Sequence, residues 1–428
     1  MIISTAFAGK HYAIYGLARS GRATVDALLA SGARVIAWDS NPEAMGNYSP
    51  NELEFADLDE VDLTQFDSIV VTPGLPLNRH PIAARARAAG VEIIGDIELF
   101  AKARAELPPH RVVGITGTNG KSTTTALIHH ILQTAGVPNL MGGNIGLPIL
   151  AQDPLPEDGV YVLELSSYQL DLTKTLDCDV AVLLNITPDH LDRYKNFEAY
   201  ESSKLRLFQM QNISEHLAVL TEGWPVRPKI LEKVPNVNIA WVDGPDYFVQ
   251  QVDWPSLQGT HNAENAACAH AVIRELGISD PVFREGCRTF PGLSHRMERV
   301  LEKDGVLFMN DSKATNPTAT APALAAFLAI RWILGGQAKS DNLDECAPHF
   351  SHVRKAYTIG EASTLFACLL KPHMAVAECG TLERAVAEAA AEAEAGDTVL
   401  LSPACASFDQ FENFEARGDA FRAAVEAL

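Results

Sequence analysis

Residues 111–136, "RVVGITGTNGKSTTTALIHHILQTAG", constrain the fold of this chain more tightly than any other stretch. A short run of buried-type residues leads into a glycine-rich turn, then Lys121 and Ser122. A helix follows, with Leu127, Ile128, Ile131 and Leu132 on one apolar stripe and Gly136 closing it. Strand, loop and helix in that order belong to a parallel α/β sheet. Bare amides, a mobile cation and a hydroxyl are what a polyphosphate with magnesium needs. The strict phosphate-loop pattern asks for glycine, four residues, then Gly-Lys-Ser/Thr, and the position of its first glycine holds Ile115. Gly114 stands one residue early and Gly117 lies inside the loop. A chance Gly-Lys-Ser in an ordinary turn is the competing reading, and the strand-loop-helix setting weighs against it.

A chain of 428 residues exceeds one hydrophobic core, and about 150 residues per domain suggests two or three domains, with three the starting expectation. "HYAIYG", "ARVIAWD" and "FDSIVVTPG" read as strands, with the helix "RATVDALLASG" between the first two. That alternation marks a parallel sheet with helices on its faces. The helix "DIELFAKARAEL" runs into Pro108-Pro109, so the first domain is expected over residues 1–105. Strands "RVVGIT", "VYVLELSS" and "DVAVLLNIT" belong to a second domain over 106–292. "VLFMND", "RWILGG", "KAYTIG" and "TVLLSP", with the helix "TLERAVAEAAAEAEAG", belong to a third over 293–428. The expected class is therefore α/β in three domains: Rossmann-like, a central phosphate-loop ATPase-type parallel or mixed sheet, and Rossmann-like again.

Composition narrows the function classes. Apolar residues at 47% and charged residues at 21% suit a globular enzyme, and no run approaches the ~18 apolar residues of a membrane span. "MIISTAFAGKHYAIYG" lacks a cationic leader with a long apolar stretch, so no export signal is expected and the cytoplasm is the expected compartment. Seven scattered cysteines, with no Cys-x-x-Cys pair, point to reduced thiols rather than disulfides or zinc. A net charge of -20 speaks against nucleic acid, whose binding rests on lysine and arginine meeting phosphates.

In parallel sheets ligands bind beyond the carboxyl ends of the strands, where loops converge and helix N-termini point their amides inward. Polar residues collect on that rim: Lys121 and Ser122, then Glu164, Ser166 and Ser167, then Asp189 and His190. In the third segment come Asn310, Asp311, Ser312 and Lys313, then Lys339, then Ser407. Glu164 suits a magnesium ion, although a strand-ending carboxylate is also common at an exposed edge. His190 suits a metal or a general base, although a lone histidine near aspartates is more often a hydrogen-bonded loop residue. In "NDSKATNPTAT", Asp311 suits ribose hydroxyls, Lys313 a phosphate and Thr315 a carboxylate. Asn316 and Pro317 also read as the cap and first residue of a helix. "YGLARSG" with Asp39 is close to a dinucleotide fingerprint, but Ala18 replaces the middle glycine. A nucleotide diphosphate read through Arg19, Ser20 and Asp39 fits better than a nicotinamide cofactor.

"GITGTNGKSTTT", "GGNIG", "ELSSYQL", "NITPDHLDRY", "HNAENAACA", "LSHRMERV", "NDSKATNP" and "LSPACASFDQFENFEARG" occur in one order along the chain. In this order and spacing the sequence resembles the Mur ligases over nearly its whole length. "NDSKATN" and "LSPACASFDQF" are similar to the forms of the family's D-glutamate-adding members. The short Gly-x-x-Gly-Lys-Ser/Thr loop of that family is what stands at Gly117 to Ser122. The resemblance implies an ATP-dependent ligase of peptidoglycan precursor synthesis that adds D-glutamate to UDP-N-acetylmuramoyl-L-alanine through an acyl phosphate.

Carried over by position, Gly117, Thr118, Asn119, Gly120, Lys121, Ser122 and Thr123 would wrap the ATP phosphates, and Asn265, Arg296 and Asp311 would contact the nucleotide. Ser122, Glu164, His190 and a carbamylated Lys204 would hold two Mg2+ ions. Lys121, His190, Lys204, His295 and Lys313 would serve the reaction. Arg19, Ser20, Asp39, Ser40, Thr72, Pro73, Gly74 and Asn144 would bind the UDP substrate, and Thr315, Lys339, Ser407 and Phe414 would bind D-glutamate. The implied partners are small molecules, with no nucleic acid, no membrane insertion and a monomeric chain. A related ligase taking another amino acid such as L-glutamate, a non-catalytic UDP-sugar sensor and a nicotinamide dehydrogenase are the competing functions. Lys204 rests wholly on the resemblance, since a lysine on a polar helix face is ordinarily a solvated residue.

Overall fold

A computed structural model of the protein describes residues 1–46, 48–49, 53–190, 193–211, 216–221 and 238–428. The chain forms two compact units, Met1–Gln250 with Thr260–Arg288, and Gln251–Gly259 with Thr289–Leu428.

The first unit carries two sheets. In one, β1 (His11–Tyr15), β2 (Arg34–Trp38), β3 (Glu54–Phe55), β4 (Ser68–Val71) and β5 (Glu92–Ile94) pair in the order β3-β2-β1-β4-β5, all parallel. β1 is buried at every position, as a strand covered on both faces must be. The order reverses between β1 and β4, so the loops Gly16–Ser20 and Thr72–Gly74 flank one crevice at the carboxyl edge.

In the other, β6 (His110–Thr116), β7 (Asn139–Gly143), β8 (Gly159–Glu164), β9 (Val180–Leu183), β10 (Leu217–Thr221) and β11 (Asn238–Val242) pair as β11-β10-β9-β6-β8-β7. Every described pairing is parallel. The register sets Ile115 opposite Glu164, so the glycine-rich loop and the Glu164 carboxylate emerge side by side. The helix Lys121–Thr134 buries Leu127, Ile128, Ile131 and Leu132, the stripe expected from the sequence. The two sheets are tied through Glu98, a fully buried carboxylate on the helix Asp96–Ala103. It accepts from Lys174 N at 2.7 Å, Thr175 N at 2.9 Å and Thr175 Oγ1 at 2.9 Å.

The second unit has one sheet: β12 (Glu298–Lys303), β13 (Val306–Asn310), β14 (Ile330–Gly335), β15 (Val353–Ile359), β16 (Ala375–Gly380) and β17 (Thr398–Leu401). The order is β12-β13-β17-β14-β15-β16, parallel except for β12 against β13. The antiparallel strand therefore lies in this sheet rather than in the central one. Because β17 sits between β13 and β14, the three loops carrying Asp311–Thr315, Lys339 and Ser407 leave adjacent strands. Asn316 caps the helix Pro317–Ala325 by accepting from Ala319 N at 2.8 Å, with Pro317 first in the helix, as its sequence predicts. Among the described residues no helix is long and apolar enough to cross a membrane.

Candidate functional site

The glycine-rich loop is built by what presses on it. Gly117 and Gly120 adopt φ of +154° and +84°, and a Cβ on Gly120 would lie 2.3 Å from Asn265 Oδ1. Asn265, buried on the helix Thr260–Glu275, is thereby brought against the loop. Asn185, which sequence reading did not single out, holds the loop from the other side. Its carbonyl accepts from Thr118 N at 2.7 Å and its Oδ1 from Asn119 N at 2.8 Å. Lys121 Nζ donates to Gly117 O and Thr118 O at 2.9 and 2.7 Å, and Ser122 lies buried in the first helical turn beside the half-buried Thr123.

Glu164 ends β8 with only 2% of its surface exposed. One carboxylate oxygen, Oε1, accepts from Asn144 Nδ2 at 2.8 Å, while Oε2 is buried with no hydrogen-bond partner. A buried anionic oxygen left bare is costly unless a cation meets it. Lys204, on the helix Phe197–Gln209, is buried to 1%, donates to Gly117 O at 2.7 Å and stands 4.7 Å from the centre of the Tyr200 ring. Burial first, and the Lys121 charge second, push its pKa well below the usual lysine range. Tyr200 in turn meets Thr118 Oγ1 at 3.0 Å through its hydroxyl. His190 is exposed at φ +53°, with its ring 5.0 Å from Tyr168 and 6.0 Å from Tyr200. Leu191 and Asp192 of its motif lie outside the described residues. Lys121, Ser122, Glu164, Asn144, Lys204 and Asn265 therefore converge on the loop, with His190 beside them.

These residues fit ATP and magnesium. The bare Glu164 Oε2 suits a hard cation, and the left-handed glycines present amides where side chains cannot follow. Among the described residues no three His, Cys, Asp or Glu side chains gather around a metal-sized point. The expected set holds only two of these types, and a hydroxyl and a modified lysine would complete it.

At the first sheet's crevice, Gly16 and Gly21 are fixed by packing. A Cβ on Gly16 would meet Thr72 Oγ1 at 2.5 Å, and one on Gly21 would meet Gly16 O at 1.9 Å. Ala18, in place of a glycine, caps the helix Arg19–Ala30 in an extended conformation without strain. Asp39 accepts from Leu17 N at 2.6 Å and Asn41 N at 2.8 Å, so it organises the loop as well as lining a cavity of about 510 Å³ with Arg22 and Glu43. Arg19 donates to Gly146 O at 2.8 Å across to the second sheet's loops, and Ser40 and Gly74 are exposed.

In the second unit Asp311 is buried, accepting from Ser402 Oγ at 2.8 Å and Met297 N at 3.2 Å, and burial pushes its pKa up to about 7. His295, at φ +63°, is wedged against the helix Phe414–Glu426: a Cβ on Gly418 would lie 2.0 Å from its Nδ1. Asn310 Nδ2 joins His295 Nδ1 at 3.1 Å, and Arg296 follows half-buried. Lys313 Nζ stands 4.4 Å over the Phe414 ring, and Lys339 Nζ reaches Thr315 Oγ1 at 3.4 Å. Ser407 is buried nearby in sequence to Arg417, whose buried guanidinium donates to Ser312 Oγ and O and to the carbonyls of Cys405 and Ala406. Sequence reading missed Arg417. The only signal for it is an arginine within an apolar helical repeat.

The comparisons with known proteins agree with this geometry. Family models match at residues 10–95 (Mur ligase MurD-like, N-terminal domain), 115–244 (Mur ligase middle domain) and 295–405 (Mur ligase, glutamate ligase domain). The chain is 59% identical to the UDP-N-acetylmuramoylalanine--D-glutamate ligase of Novosphingobium aromaticivorans, over all of this chain and 97% of that one. It is 54% identical to the same-named ligase of Zymomonas mobilis over the full length of both. Among solved structures, MurF ligase from Thermotoga maritima in complex with ADP aligns with a TM-score of 0.59 at 16% identity. That match covers all of this chain and 97% of the other. UDP-N-acetylmuramate-alanine ligase from the same organism aligns at 0.57 and 14% identity, over 98% and 99%. The architecture is thus the three-domain α/β fold of these ligases, and the chain belongs to the Mur ligase family, among its UDP-N-acetylmuramoylalanine--D-glutamate ligases.

Proposed function

We propose that this enzyme joins D-glutamate to UDP-N-acetylmuramoyl-L-alanine with hydrolysis of ATP to ADP and phosphate, as a monomer in the cytoplasm. The identity to D-glutamate ligases supports the choice of amino acid. The observation that carries the chemistry is the bare, buried Glu164 Oε2 beside a glycine cradle and a lysine held toward its neutral form. The seven free cysteines suit a reducing compartment.

In this reading, residues 1–105 bind the UDP substrate through Arg19, Ser20, Asp39, Ser40, Thr72, Pro73 and Gly74. Residues 106–292 bind ATP, and residues 293–428 bind D-glutamate. Gly117 to Thr123 cradle the phosphates, Lys121 offsets charge on the β- and γ-groups, and Asn265, Arg296 and Asp311 hold the nucleoside. Two magnesium ions would be held by Ser122, Glu164, His190 and carbamylated Lys204, and would supply Lewis-acid neutralisation of phosphate charge. Asn144 orients both the Glu164 carboxylate and the muramoyl group.

A carboxylate is a poor electrophile at neutral pH. The alanyl carboxylate attacks the γ-phosphorus and ADP leaves, giving an acyl phosphate. The D-glutamate amine then attacks the carbonyl carbon, and the tetrahedral intermediate expels phosphate. Lys121 and Lys313 stabilise the charge gathered in both steps, and His295 positions the strand end that carries Lys313. D-Glutamate lies with one carboxylate between Thr315 and Lys339 and the other near Ser407 and Phe414.

The test is phosphate release by purified protein with ATP, magnesium and UDP-N-acetylmuramoyl-L-alanine across a panel of amino acids. Release stimulated by D-glutamate and not by L-glutamate is expected. Release with another amino acid would change the acceptor, and no release with any would remove the ligase reading.

A further inference from the structure

Arg193 makes an arrangement that none of the roles above requires. Its guanidinium donates to the carbonyls of three successive residues: Pro73 at 3.1 Å, Gly74 at 3.1 Å and Leu75. The same group lies 4.3 Å from the centre of the Tyr168 ring, a cation–π contact. The grip is returned, because Asn78 Nδ2 donates to Arg193 O at 2.8 Å. These contacts border a cavity of about 250 Å³ between the loop after β4 and the Tyr168 and Tyr194 side chains.

The orientation of this loop follows from peptide geometry. Every peptide bond described is trans, so a carbonyl turned onto Arg193 sends the next residue's N–H the opposite way. Leu75 N–H is already taken by Thr72 O at 3.0 Å, and Pro76 has none. The Gly74 N–H is therefore the amide this turn presents on the face away from Arg193. Gly74 is exposed, with open space where a side chain would stand, and it flanks the crevice between β1 and β4. An amide whose carbonyl partner is held by a cation is a polarised donor aimed at a fixed spot, suited to a phosphate oxygen.

The backbone of the same residue reaches the other end of the site. Arg193 N and Tyr194 N donate to His190 O at 2.9 and 3.1 Å. One residue thus ties the loop expected to meet the UDP diphosphate to the segment carrying His190.

We infer that Arg193 is a positioning residue for the nucleotide-sugar substrate: it sets the Pro73–Gly74 peptide plane so that the Gly74 N–H meets the diphosphate, without itself touching substrate. The inference rests on the function proposed above. The guanidinium fork is essential to it, since lysine is a point charge that cannot span three carbonyls.

The test is steady-state kinetics of Arg193→Ala and Arg193→Lys, with thermal unfolding of each. Arg193→Ala raises KM for UDP-N-acetylmuramoyl-L-alanine about tenfold or more, while KM for ATP and kcat stay within about threefold. Arg193→Lys, which keeps the charge and most of the stem, falls between wild type and alanine. If alanine prevents folding, the lysine variant decides alone: an unchanged KM for the nucleotide sugar overturns the inference. A parallel loss in kcat and in KM for ATP also overturns it, because Arg193 would then act through His190 or the fold. A wild-type enzyme without D-glutamate-dependent phosphate release removes the proposed function itself. Normal wild-type turnover with unaltered variants removes only the role of Arg193.

Discussion

Lys204 Nζ donates to the carbonyl oxygen of Gly117 at 2.7 Å, the oxygen that Lys121 also reaches, at 2.9 Å. Two amines on one buried acceptor cannot both be comfortably charged, and burial with Lys121 repulsion lowers the Lys204 pKa. A neutral amine is the nucleophile that carbon dioxide requires: the nitrogen lone pair forms an N–C bond, one proton leaves, and a carbamate anion remains. Removing carbon dioxide and bicarbonate should therefore lower turnover, and restoring them should recover it. Carbon-13 bicarbonate should give a carbamate resonance that Lys204→Arg lacks, with kcat of that variant down by about 100-fold or more. Activity indifferent to carbon dioxide with no such resonance would remove the carbamate.

Glu164 offers one oxygen to Asn144 and leaves the other bare. Glu164→Gln keeps the shape and the Asn144 contact but removes the charge. The magnesium concentration for half-maximal rate should rise about tenfold or more, with little change in melting temperature or a slight gain. An unchanged magnesium dependence would place the metal elsewhere.

What the sequence made legible follows burial. The central strands β1, β6, β8, β9, β14 and β17 are mostly buried and mostly apolar, and each is readable as a strand. The edge strands β3, β5, β7, β11, β12 and β16 were not, because one face or both stay partly open and no run or clean alternation survives. β10 is an exception, buried throughout yet passed over. In the site, the phosphate loop and Glu164 were visible because chemistry and strand ends coincide there. Lys204, Asn185, Arg193 and Arg417 were opaque to local pattern, since each matters through partners far along the chain. Lys204 was found only by resemblance.

Asp311 gives stability a pH dependence. Its folded pKa is about 7 against an ordinary 3.8, so between those values the unfolded chain has released a proton that the folded chain retains. Raising the pH through this window favours unfolding, and the loss is complete above about 7, with a ceiling on the order of 4 kcal/mol. Denaturant unfolding followed from pH 4 to 8 should show a falling component in the wild type that Asp311→Asn lacks. Equal pH slopes for the two proteins would contradict it.

Gly418 is enclosed by His295, whose Nδ1 would lie 2.0 Å from an added Cβ. Alanine normally improves a helix interior by about 1 kcal/mol, but here it must displace a buried ring held by Asn310. Gly418→Ala should be destabilising by about 1–3 kcal/mol, with lowered kcat as His295 moves. A melting temperature at or above wild type would show that the ring can give way.

The acyl-phosphate route is tested most directly by labelling the alanyl carboxylate of UDP-N-acetylmuramoyl-L-alanine with oxygen-18 and following the label into released phosphate. One labelled oxygen per phosphate is expected, released only when D-glutamate is present, because the bridging oxygen of the acyl phosphate leaves with phosphorus when the amine attacks. Unlabelled phosphate, or release at the same rate without D-glutamate, would contradict it.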